Sequence, residues 1–87
     1  MKHSIETYMN AYCNGTLKNF DFDIKYIEDI KGLCLARTQY NNFDRNDWLK
    51  ESLTLHEWCT INQDLYTKLC NAHTAFELKL QKDGYRK

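Results

Sequence analysis

The chain has 87 residues, with 12 Lys and Arg against 12 Asp and Glu, 14% aromatic residues, three Gly, four Cys and no Pro. That length implies one domain spanning 1–87, and a domain so small buries only about 60–65% of its unfolded surface, so self-association helps it. Balanced charge gives no overall field toward nucleic acid or anionic lipid, and no apolar run approaches the ~18 residues of a membrane span.

The first element is a short helix. Between Ser4 and Cys13, residues Ile5, Tyr8, Met9, Tyr12 and Cys13 follow the i, i+3, i+4, i+7, i+8 pattern of one helix face. Ser4 is a good N-cap, and Asn14-Gly15 is a good stop. The triplet Asn14-Gly15-Thr16 matches a glycosylation acceptor, but it needs a secretory route, and Met-Lys-His-Ser does not open a signal peptide. A cytoplasmic location is expected.

The segment from Phe20 to Tyr40 admits two readings. Tyr26, Ile30, Leu33, Arg37 and Tyr40 have helical spacing, with Ile27 and Cys34 beside them. Phe20, Phe22, Ile24 and Tyr26 alternate with polar residues as a half-buried strand does, and Gly32 could turn a hairpin. The helix is preferred, because an isolated two-stranded hairpin is marginal. The fold class is therefore all-α, with α+β carrying a hairpin at about 20–40 as the alternative. The link Asn41-Asn42-Phe43-Asp44 is a short polar turn in either case.

From about Asp47 to Lys82 no Gly or Pro interrupts one amphipathic stripe. At about 100° per residue, Trp48, Leu55, Trp58, Leu65, Tyr66, Leu69, Ala72, Phe76 and Leu80 fall in one arc of roughly 120–140°. Lys50, Glu57, Thr60, Asp64, Thr67, Lys68, Asn71 and Thr74 occupy the opposite side. Asp44 or Asn46 caps the start, while Lys79, Lys82 and Gly84 mark the end. Glu51 and Asn62 interrupt the stripe, the first snorkelling at an end, the second fixing register. The helix is expected to bury Trp58, Leu65, Leu69 and Phe76. Some 36 residues at ~1.5 Å each span about 54 Å, against a radius of gyration of about 12 Å for a compact chain of this length. Such a helix overhangs its domain, bends or packs on a second copy, and a homodimer is expected.

Cys13, Cys34, Cys59 and Cys70 are read as free thiols, since a chain without a secretory signal meets a reducing compartment. His56-x-x-Cys59 and Cys70-x-x-His73 each present two zinc-type ligands on one helix face. The pairs are about 21 Å apart along a continuous helix, too far for one ion unless the helix folds back or an antiparallel copy intervenes. No metal or cofactor is expected; His56, Cys59, Cys70 and His73 are the candidates if one binds. His56-Glu57-Trp58-Cys59-Thr60 starts like a metalloprotease helix, but Thr60 stands where the second His is needed. A Cys59–His56 nucleophile pair has nothing beside it to orient the His or form an oxyanion hole. No catalytic residue is assigned.

These absences favour a module that binds and occludes a protein partner stoichiometrically, and not an enzyme. Short Asn- and Lys-rich chains of this kind typify accessory proteins of bacteriophages and mobile elements. The candidate contacts are the aromatics Phe22, Tyr40 and Phe43, the charges Arg37 and Arg45, and Leu49 and Leu53, which lie off the main stripe. One alternative is a nucleic-acid-binding helical dimer using Lys25, Lys31, Arg37 and Arg45 with Tyr40 and Phe43. The other is a zinc-organised regulatory module. Lys79, Lys82, Arg86 and Lys87 are read as a solvated helix end.

Overall fold

The structure, a computed structural model, describes residues 1–45 and 53–86, without the side chains of Asp44 and Arg45. Three helices, α1 (Ile5–Asn14), α2 (Ile27–Arg45) and α3 (Leu55–Lys82), make an all-α fold, with two short 3-10 turns, Leu17–Asn19 and Ile24–Tyr26, between the first two.

The physics of α1 is local at both ends. Ser4 Oγ accepts the Thr7 N–H at 3.2 Å, and Glu6 sits in the first turn. At the far end Gly15 takes φ +73°, a left-handed conformation that glycine enters without a Cβ clash. The Gly15 N–H then bonds Tyr12 O and the Thr16 N–H bonds Ala11 O, closing a Schellman motif. Ile5, Tyr8 and Met9 are buried on one face. Gly84 closes α3 the same way: φ is +87°, and the Gly84 and Tyr85 N–H groups bond Gln81 O and Leu80 O.

Among the described residues there is no strand, so the hairpin alternative at 20–40 does not occur. The alternation that suggested it has another cause. Phe20 and Phe22 turn inward onto Tyr8, at ring separations of 6.4 and 5.2 Å, and Tyr26 is buried, while Ile24 is 76% exposed. Asp23 accepts the Lys25 N–H and starts the turn that leads into α2.

Helix α2 runs past its expected end. Asn41 to Asp44, read as a polar turn, are its last turn. Phe43 stacks on Trp58 at 5.7 Å and Tyr40 meets Tyr66 at 5.5 Å, and these contacts outweigh the low helix propensity of Asn and Asp. The pairings Phe43–Trp58, Tyr40–Tyr66, Tyr26–Phe76 and Asp29–Lys79 show that α2 and α3 are antiparallel.

Helix α3 starts at Leu55 and not at Asp47. Thr54 is extended, with φ −72° and ψ 159°, and caps the helix. Its Oγ1 accepts the Glu57 N–H at 3.1 Å, and the Glu57 carboxylate accepts the Thr54 N–H at 3.1 Å. This reciprocal capping box satisfies two donors that a helix start leaves free. Leu53 precedes the cap outside any helix. Trp48, Leu49 and Glu51 lie outside the described residues.

The core draws on every helix: Ile5, Tyr8 and Met9 from α1, Ile30, Leu33 and Cys34 from α2, Phe76 and Leu80 from α3, with Tyr26 beside them. α1 crosses α2 at Arg37, whose guanidinium reaches Glu6 at 3.0 Å, Asn10 at 2.9 Å and Cys13 at 3.4 Å. The molecule is long and thin, 45 × 26 × 16 Å, with a radius of gyration of 15.4 Å against about 12 Å for a compact chain. At ~1.5 Å per residue the 28 residues of α3 measure about 42 Å and run the length of the long axis.

Candidate interaction surface

The apolar stripe of α3 is covered over only half its length. Phe76 and Leu80 are buried under α1, α2 and the Tyr26 turn, at 3% and 0% exposure. Toward the N-terminus of α3 none of the described stripe residues up to Leu69 is buried. Trp58, Leu65 and Leu69 are half-buried, Tyr66 is 48% exposed and Leu55 54%, and beside them Ile61 is 38% exposed. The expected burial of Trp58, Leu65 and Leu69 is therefore not reached. α1 is only ten residues long and meets α2 at Cys34 and Arg37, so it does not extend over the tip formed by residues 38–45 and 55–66. Two helices side by side cannot cover each other's flanks.

Aromatic pairs join α2 and α3 at the tip. Tyr40 against Tyr66 and Phe43 against Trp58 zip the helices, the second pair nearly parallel at 19°. Among the described residues the buried Trp58 indole N–H has no acceptor. A buried unpaired donor costs about 1–3 kcal/mol.

The candidate contact residues are mostly occupied within the chain. Phe22 is half-buried against Tyr8, and Tyr40 and Phe43 are half-buried in the tip, so these rings are not the free-standing surface aromatics expected of them. Arg37 is half-buried between α1 and α2. Leu53 is half-buried and precedes the Thr54 cap, so it cannot share a helical turn with Leu49. Leu49 and the Arg45 side chain lie outside the described residues. Composition could not find the open residues Leu55, Ile61 and Tyr66, because the wheel assigns stripe residues to a core without saying how far the covering layer extends.

The other candidate chemistries are not assembled among the described residues. His56/Cys59 and Cys70/His73 lie on one uninterrupted helix, about 21 Å apart, and no three His, Cys, Asp or Glu residues converge as metal ligands. Of the cations proposed for nucleic acid, the three whose side chains are described have local partners. Lys25 lies over the rings of Tyr26 and Tyr85, Lys31 pairs with Glu28 at 3.5 Å, and Arg37 pairs with Glu6. The basic C-terminal cluster is also partly structural. Lys79 bonds Asp29 at 2.9 Å, and Arg86 holds Glu77 and the Met1 and His3 carbonyls.

Ionisation follows the same local contacts. The Tyr8 hydroxyl donates to Asp21 at 2.6 Å; burial raises the phenol's pKa, and the bond holds the carboxylate below its usual range. Tyr26 donates to Asp83, with burial the first cause of its raised pKa. Asp23 is lowered by the Lys25 N–H and the Tyr85 hydroxyl, and Glu57 by the Thr54 N–H. Each of these shifts belongs to a cap or a helix tie. No described helix is long and apolar enough to cross a membrane. No protein-family model, curated protein or solved structure matches the chain.

Proposed function

We propose that the chain is a protein-binding module that acts by stoichiometric occlusion and not by turnover, and that its contact surface is the open half of α3. The carrying observation is the stripe that is buried at Phe76 and Leu80 but open at Leu55 and Tyr66, with Ile61 exposed beside it. A long helix with large apolar side chains left uncovered needs another surface, and Tyr and Trp supply contact area at low entropic cost. The first partner is a second copy, packed along the open stripe as a homodimer. A stable interface needs about 800 Å² per partner, so the pairing extends beyond the exposed stripe residues onto the flanks of α2 and α3. The occluded target is a separate protein, in keeping with an accessory role in a phage or mobile element.

Light scattering at micromolar concentration tests the pairing. Twice the chain mass is expected, falling to the single mass in Ile61→Asp and Tyr66→Asp, with helical circular dichroism retained. A single mass at every concentration rejects the homodimer. Occlusion itself is tested by titrating the isolated target. An effect that saturates at a fixed molar ratio supports it; modification of an excess of substrate overturns it.

A further inference from the structure

Cys13 and Cys34 come from different helices yet meet at the α1–α2 crossing. The Cys34 thiol donates to the Met9 carbonyl at 3.6 Å, one turn before Cys13 on α1. Arg37, one turn after Cys34, places its guanidinium 3.4 Å from the Cys13 sulfur while Glu6 and Asn10 hold its other nitrogen. The two thiols are unequal: Cys13 is exposed, whereas Cys34 is only 6% exposed.

We propose that Cys13 and Cys34 form a thiol–disulfide couple, with Cys13 the attacking and Cys34 the resolving cysteine, oxidised by low-molecular-weight disulfides. The Cys13 thiolate attacks one sulfur of R–S–S–R. That S–S bond breaks, a mixed disulfide forms on Cys13, and RS⁻ leaves and takes a proton from water. Cys34 then gives its proton to solvent base and attacks the Cys13 sulfur, expelling the second RS⁻. Two protein thiols lose two electrons and two protons, and the small disulfide becomes two thiols. The order follows from access. A small disulfide reaches Cys13 from solvent, whereas Cys34 reaches only its neighbour, and burial pushes the Cys34 thiol up to about 11. The guanidinium gives the attacking sulfur a fixed positive neighbour. The product ties α1 to α2 by a covalent bond in addition to their shared core.

Cys59 and Cys70, also exposed, are internal controls. Cys70 lines a hollow with Glu6, Met9 and Arg37, so it is the competing resolving thiol. The intact protein is treated with oxidised glutathione, quenched with acid at intervals, and mapped by mass spectrometry without reduction. Cys13 is expected to react at least about fivefold faster than Cys59 and Cys70. The final species is expected to be two hydrogens lighter, with Cys13 joined to Cys34. Cys34→Ser should trap glutathione on Cys13. Arg37→Gln should erase the lead of Cys13 and Arg37→Lys restore part of it, with circular dichroism confirming the fold of each. Equal rates at Cys13, Cys59 and Cys70 overturn the proposal. So does a mixed disulfide that persists on Cys13 in the wild type, or a bond from Cys13 to Cys70.

Discussion

Tyr8, Tyr26 and Leu80 are among the largest fully buried side chains, and they stabilise the fold by different means. Leu80 contributes only apolar area and packing, at 0% exposure, whereas Leu69, one stripe position toward the open end, is half-buried. Truncating a buried Leu removes transfer energy and leaves a cavity, about 2–5 kcal/mol together. Leu80→Ala is expected to lose that much in urea unfolding, and Leu69→Ala about half of it or less, since solvent already reaches the site. Equal losses would mean that the stripe is covered evenly in solution. The tyrosines bring in hydroxyls, which Asp21 and Asp83 accept, and this makes stability depend on pH at both ends of the scale. Asp21, Asp23 and Glu57 have folded values below their usual ones. Their contribution is therefore complete above the unfolded-state pKa near 4 and lost as pH falls through the folded values. Tyr8 and Tyr26 are raised, so their contribution is complete below about pH 10 and lost as pH rises beyond it. Urea midpoints should hold level from pH 6 to 8 as far as these groups decide them, and fall on both sides. Asp21→Asn should show a smaller drop between pH 7 and pH 3 than the wild type.

At the scale of elements, helix ends decide where the fold departs from its hydrophobic pattern. The apolar phase continues through Trp48, which is why the pattern alone starts the last helix at Asp47. The chain instead starts it at Thr54, where the side chain and the Glu57 carboxylate satisfy each other's backbone donors. Replacing Thr54 with Ala should cost about 1 kcal/mol in urea unfolding, and Thr54→Ser should recover most of it. No loss in Thr54→Ala would mean that packing at the tip, not the cap, positions the start. The Thr54-x-x-Glu57 signature was legible in the sequence, and a capping search along the stripe would have found it. The first helix was fully legible, because Ser4, the Ile5–Tyr8–Met9 face and Gly15 all speak locally and agree. The end of α2 was not. Asn41, Asn42 and Asp44 favour a turn by propensity, and contacts distant in sequence, Tyr40–Tyr66 and the Phe43–Trp58 stack across 15 positions, hold them helical. The open surface was illegible for a related reason. Leu55 and Tyr66 read as core-facing positions whatever covers them, and coverage depends on the length and crossing point of α1.

Over the whole molecule, burial is graded along one axis. Three helices and the Tyr26 turn share the end at Phe76 and Leu80, while among the described residues α2 and α3 make the tip at Trp58 and Tyr66. Local opening follows buried contact, so the tip should open at lower free energy than the body. Amide hydrogen exchange measures this directly along α3, which samples both ends within one helix. In dilute protein, amides of residues 72–82 are expected to exchange only on global unfolding. Those of residues 58–67 should exchange at least about tenfold faster, at a cost lower by about 1.4 kcal/mol or more. Raising the concentration into the range where pairs form should slow exchange at 58–67 and leave 72–82 unchanged, because only the open half gains cover. Ile61→Asp should abolish that concentration dependence. Uniform protection along α3 in the dilute protein would show that the tip is stable by itself, and the argument that it needs a partner would fail. A gradient unaffected by concentration would keep the tip open but assign its cover to a different protein, to be sought by repeating the exchange with the isolated target.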